Sequence, residues 1–474
     1  MSRRIAGSLF VLGLNVALVA SSLGAGPAAG GTGGAAETVR GWSLEEQIGQ
    51  LVLYEVEISN PRYLPGTGST SAAVDELLQL VEHHNLAGFT LEEGNEALFV
   101  DPRLAEVEQH EARGVRPFVA VNEEGGTVQV AQERTFDQAH DWIGCTNLGP
   151  LTGYVQRDPV RWGDFKCVDN TWPPPGTHTE REDLRYFPYL RDAFAMASGT
   201  NPGERWTPKQ TRRHLEDIGR ALVRIHANLD LAPVLGVSDG TTTSSLLGDR
   251  VFADDPKTVT TYATAFSAGV HRGSRSRVAT VVKHFPGLGT VTSNTDDAPG
   301  VSAPLAQLKQ QSLVPYEHLD RYDAVAVMMS DAAVPGLTCP ADATDEECIA
   351  QPPASLTRAA YELLRSEPYG WDGVIVTDTL SGGAVLYDGR TIEQAAREAV
   401  AAGADLIEIK PTPPPLAGPD WYPTAGDDTA TIEGAVTAIE RWAGDDPARL
   451  RQIEQSAIRV VRAKQSYLGQ GPET

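Results

Sequence analysis

Residues 278–300 read VATVVKHFPGLGTVTSNTDDAPG. The first half is apolar almost without interruption, which suits a strand buried on both faces of a parallel sheet. It breaks at Lys283 and His284, two side chains that need partners if they close a buried strand, and then into a glycine-rich polar loop. Seven further runs share this character: QLVLYEV from Gln50, LAGFTL from Leu86, PFVAVN from Pro117, LDLAPVL from Leu229, DAVAVMM from Asp323, DGVIVTD from Asp372 and ADLIEI from Ala404. Helical patterns separate them. Val74, Leu77, Leu78 and Val81 follow the i, i+3, i+4, i+7 rule, and a long amphipathic stretch starts at Thr207. The stretch from Thr391 opens on an N-cap residue and ends at Gly403, a C-cap residue. Eight strands alternating with helices predict an α/β fold, a (β/α)8 TIM-type barrel in a single domain. A doubly wound open sheet is the competing architecture, but no glycine-rich phosphate loop follows the first strand.

The spacing is regular except between strands three and four. Residues 137–206 there hold Cys145, Cys167 and the stretch WPPPGTH, too long and too aromatic for a plain linker. They are expected to form an insertion on the catalytic face, stapled by a disulfide. With Cys339 and Cys348 the chain has four cysteines. Proximity favours Cys145–Cys167 and Cys339–Cys348, although three connectivities are possible. Zinc binding by the cysteines is the alternative, but no CxxC or HxxxH spacing supports it, and neither a metal nor a cofactor is expected.

Ahead of the barrel, Arg3 and Arg4 precede the apolar run LFVLGLNVALVA and the small residues SSLGAGPAAG. This is the pattern of a secretory signal peptide, and the run is too short to span a bilayer comfortably. An uncleaved anchor is the alternative; no cysteine follows to carry a lipid. Residues 26–36 read as a flexible linker, which gives a leader over 1–36 and a barrel over 37–474, the mature chain secreted and without a membrane span. The sequence LPGTG at Leu64 has no hydrophobic tail behind it and is not read as a sorting signal. A net charge of −24 argues against nucleic acid as a partner, and oligomeric state is left open.

Active sites of such barrels form at the C-terminal ends of the strands. Here those ends carry Asn122, Glu123 and Glu124, then Lys283 and His284, Ser330 and Asp331, Thr377 and Asp378, and Glu408 with Lys410. Carboxylates converging without a metal-ligand pattern suit glycoside hydrolysis of a neutral carbohydrate, in which one carboxyl attacks and another moves a proton.

The residues resemble a known family at this point. The segment LRSEPYGWDGVIVTDTLSGGA looks like the nucleophile segment of glycoside hydrolase family 3, and KHFPGLG matches its substrate-binding loop. NEEGGTVQ, GDRVFADDP, APVL, PASLT and QIEQSAIRVVRAKQSYLG are similar to further family segments. A single barrel of this kind resembles the single-domain bacterial β-N-acetylhexosaminidases. The resemblance implies a retaining enzyme with Asp378 as nucleophile, and with Arg250, Lys283 and His284 holding sugar hydroxyls alongside Asn122, Glu124 and Asp331. It also exposes departures. Where that branch has Asp-Ser-His, with the His as acid/base, this chain has Asn294, Thr295 and Asp296. Asn122 stands at a substrate-binding Asp position, Thr127 and Val130 replace arginines, Gly236 replaces an Asp, and Asp331 replaces a common His. Asp296 is expected to take the acid/base role, with neighbouring Asp297 as an alternative. A family member that has lost turnover and binds a glycan or cell-wall fragment is the competing function. Transfer to phosphate or another sugar is chemically open.

Overall fold

The computed structural model describes residues 32–56, 70–91, 103–125, 128–129, 193–198, 205–238, 247–291, 293–411 and 428–468. All eight apolar runs are strands. They are β1 (Val52–Val56), β2 (Gly88–Leu91), β3 (Phe118–Val121), β4 (Leu229–Asp230), β5 (Ala279–Phe285), β6 (Ala326–Met329), β7 (Val374–Thr379) and β8 (Leu406–Ile409). They close into a parallel barrel in chain order, with β8 pairing back onto β1 through Val52 opposite Ile407 and Tyr54 opposite Ile409. The continuous apolarity of the runs now has its cause. One set of side chains, including Leu53, Phe118, Ala120, Val281, Met328 and Val376, fills the barrel, while Val52, Tyr54, Val119, Val282 and Ile375 pack outward under the helices.

β4 is shorter than its run. Pro233 has no N–H to continue the ladder, so regular pairing stops after Asp230 and resumes as one bridge between Val234 and Lys283. The helices from Thr207 and Thr391 begin as expected, each with a capping box, to Gln210 and Gln394 respectively. Leu215, Ile218 and Leu222 of helix Pro208–Arg224 are buried. Val460 of helix Pro447–Tyr467 and Leu468, which caps it, enter the cluster that fills the barrel. Its Lys464 is 2% exposed, donates to Gln50 Oε1 at 2.8 Å and lies over the Phe118 ring at 5.2 Å.

Two boundaries are corrected. The flexible linker does not extend to Ala36, because Thr32–Arg40 is a helix whose Ala35 and Val39 are fully buried in the outer core. Nor does the insertion run whole to residue 206. Helix Ala193–Ser198 buries Ala193, Met196 and Ala197, and Tyr262 donates to the Trp206 carbonyl at 2.5 Å, so both belong to the packed body. The rest of the insertion, with Cys145 and Cys167, lies outside the described residues, as does the leader through residue 31. Cys339 and Cys348 form a disulfide. No described helix is long and apolar enough to cross a membrane.

Candidate active site

The strand ends bring the expected polar residues to one mouth. Glu124, in a small hairpin that follows β3, is its electrostatic centre on one side. It accepts from Arg250 Nε at 2.5 Å and Nη2 at 2.9 Å, and pairs with Lys283 Nζ at 2.7 Å. Lys283 also donates to Asn122 Oδ1 at 2.6 Å, which ties β3 to β5. Burial pushes the Glu124 carboxyl up, but the Arg250 and Lys283 charges outweigh it and hold it at about 2. Arg250 arrives from the short turn Gly248–Arg250 that precedes the buried Val251. Behind this group Asp230, at the end of β4, accepts from the Glu123 N–H at 3.1 Å. Burial pushes its carboxyl well up. A lone Asp in the run LDLAPVL was the only sequence signal for it.

Asp378 ends β7 on the other side. Its Oδ1 accepts from the Thr379 N–H at 3.0 Å, and its Oδ2 lies 3.7 Å from His284 Nε2. Its side chain is 18% exposed, against 3% for His284 and Lys283 and 1% for Glu124, which makes it the most open of the four. Burial and the Asp296 charge raise the Asp378 carboxyl to about 6, while Lys283, the Thr379 N–H and Arg250 oppose the rise. Burial, with the Lys283 and Arg250 cations, pushes the basicity of His284 well below the usual histidine value against the opposing pull of Glu124, which favours the neutral ring. Asp331, at the end of β6, is 3% exposed. Burial and the Asp378 charge push its carboxyl well up. Glu408 at the end of β8 accepts from the Thr90 hydroxyl, and Lys410 pairs with Glu55 at 2.8 Å.

The loop after β5 is pinned rather than loose. Asn294 carries the turn: its Nδ2 donates to Asp297 Oδ2 at 2.8 Å, and its carbonyl accepts from the Asp297 and Ala298 N–H groups at 3.1 and 2.9 Å. The turn docks on the segment after Asp378, where Gly383 N donates to the Asp296 carbonyl at 2.7 Å and Ala384 N to the Thr295 carbonyl at 2.9 Å. A Cβ on Gly383 would stand 2.2 Å from the Asp297 carbonyl oxygen, so only glycine lets the two backbones approach this closely. Asp296 is left exposed, near enough to act on both Asp378 and Arg250, whereas the Asp297 carboxylate is used by Asn294. SGGA lies in a segment that resembles the family's, but nothing in its composition signals that Gly383 lies against the Asp296 loop.

Gly236 sits in an apolar group of Val234, Leu247, Val251, Leu288, Val291 and Ala332. A Cβ there would meet Leu247 Cδ1 at 2.6 Å and Val251 Cγ1 at 3.0 Å, so any side chain at this position would have to push these apolar side chains aside. Thr127 and Val130 lie outside the described residues.

Comparisons with known proteins agree with this geometry. Residues 188–418 match the glycosyl hydrolase family 3 N-terminal domain. Over 266 residues the chain is 32% identical to "Beta-hexosaminidase LpqI" of Mycobacterium tuberculosis, covering 53% of this chain and 65% of that one. The matched part therefore falls just short of two thirds of this curated relative. Among solved structures, a family 3 glycosyl hydrolase from Mycobacterium smegmatis superposes with a TM-score of 0.62 at 22% identity, over 89% of this chain and 98% of its own. The Mycobacterium tuberculosis LpqI structure does so with a TM-score of 0.62 at 24% identity, over 91% and 96%. At such identities these two speak to the fold alone. Residues 188–418 and the closed barrel thus make this chain similar to glycosyl hydrolase family 3.

Proposed function

We propose that the protein is an exported retaining glycosidase of the β-N-acetylhexosaminidase kind, with Asp378 as nucleophile and Asp296 as acid/base. The observation that carries this reading is the placement of Asp378: more open than Lys283, His284 and Glu124, ionised above about pH 6, and within electrostatic reach of a second, exposed carboxyl on a pinned loop. In the first step an Asp378 oxygen bonds to the anomeric carbon as the glycosidic C–O bond breaks, and Asp296 gives its proton to the departing oxygen. In the second, water attacks the same carbon, Asp296 takes back a proton, and the ester to Asp378 breaks. Arg250, Lys283 and Asn122 line the sugar side, and the buried Glu124 holds the two cations in place. Asp331, whose carboxyl burial and the Asp378 charge push well up, stands beside the nucleophile as a polar contact for a sugar oxygen. The leader over residues 1–31 and the Cys339–Cys348 bond favour export to an oxidising compartment.

One observation favours the competing reading, a glycan-binding protein without turnover. Gly236, at a position where the family carries an Asp, stands among Val234, Leu247 and Val251 and offers no carboxylate to a sugar hydroxyl. A panel of aryl β-glycosides decides between them. Turnover of N-acetylhexosaminides with net retention is expected; no turnover on any member, together with capture of glycans on an array, would establish the binding protein instead.

A further inference from the structure

Away from the mouth, helix Thr70–His84 ends in two adjacent histidines just before β2. Their rings lie edge to face with centroids 4.5 Å apart, and Glu433 of helix Asp428–Ala443 reaches the same spot. One donor atom from each of His83, His84 and Glu433 lies within 4.8 Å of the other two. We propose that these three residues bind a zinc-class divalent cation that clamps helix Thr70–His84 to helix Asp428–Ala443.

His84 is the anchor. It is 3% exposed, yet its ring makes no hydrogen bond within the described residues. Its backbone is fixed, because a Cβ on Gly49 would lie 1.8 Å from the His84 carbonyl oxygen, and the next residue is held by Gln50 Nε2 to the Asn85 carbonyl at 2.7 Å. Two imidazoles and a carboxylate form a donor set for zinc or a similar borderline ion, and a poor one for Mg²⁺ or Ca²⁺. Zinc at about 2.0–2.2 Å from each ligand places donors roughly 3.3 Å apart. The present spacing therefore closes by a modest rotation of His83 and Glu433, both exposed and free to turn. Glu45, which also acts on His84, or water would complete the sphere. Neither Asp378 nor any other group at the mouth takes part, so this inference stands or falls apart from the proposed activity.

The test uses the full chain stripped with EDTA. Calorimetric titration with ZnCl₂ should show one ion per chain, and a rise in Tm that MgCl₂ does not reproduce. Co²⁺ in its place should give the visible absorption of a low-coordinate nitrogen–oxygen site. His83→Ala and Glu433→Gln alter exposed side chains, so both variants should fold, and each should weaken zinc binding by roughly tenfold or more. Absence of stoichiometric binding, or unchanged affinity in both variants, would overturn the proposal.

Discussion

The two sides of the barrel mouth handle buried charge in opposite ways. On the β3–β5 side Glu124 meets Arg250 and Lys283 at hydrogen-bonding distance, and Lys283 is further engaged by Asn122. On the β6–β7 side Asp331 and Asp378 stand together with Asp296 nearby, and the nearest cations belong to the opposite side. Satisfied charges fix geometry, and carboxyls crowded against each other acquire the separated proton affinities that acid/base work requires. Under the proposed function, the β3–β5 side positions the substrate and the β6–β7 side carries the chemistry.

Substitutions should separate the two. Asp378→Asn, on the reactive side, should lower kcat on the order of 10⁴-fold or more while leaving the fold intact, as read by steady-state kinetics and circular dichroism. Glu124→Ala, on the positioning side, should do the reverse. It leaves Lys283 and Arg250 buried without their carboxylate and should cost about 3–5 kcal/mol in chemical denaturation. An equally stable Glu124→Ala would mean that this side is not the scaffold it resembles.

Asp296→Ala should slow substrates with poor leaving groups by about 10²- to 10⁴-fold, recoverable with azide, and spare activated aryl glycosides. The pH profile sharpens the point. Asp378 must be ionised to attack, so kcat/KM should fall as pH drops through about 6. The Asp296 charge raises that value, so Asp296→Asn should carry the acidic limb to lower pH. An unmoved limb would place Asp296 out of contact with the nucleophile. The smallest effect is expected at Gly383→Ala, where the new methyl presses on the Asp297 carbonyl and displaces the Asp296 loop. We expect roughly a tenfold loss in kcat/KM with a minor change in Tm.

The barrel was legible because its strands are buried on both faces, which writes them as continuous apolar runs. It was also legible because Thr207 and Thr391 carry capping chemistry in their local sequence. What escaped depends on approaches between distant segments. No spacing announces that Glu124 serves Arg250 and Lys283, or that Gly383 is small because the Asp297 carbonyl lies against it. The small residues after the leader read as a linker, yet Ala35 and Val39 find a core to bury against, and burial overrides that composition. At the mouth the polar residues at the strand ends were visible, whereas their division into a balanced and an unbalanced side was not.

The central claim is that Asp378 attacks carbon. Incubation with a fluorosugar inactivator followed by peptide mass mapping tests it directly. A glycosyl adduct on the peptide carrying Asp378, absent from Asp378→Asn, is the predicted result; turnover without that adduct, or a label on another carboxyl, would contradict it.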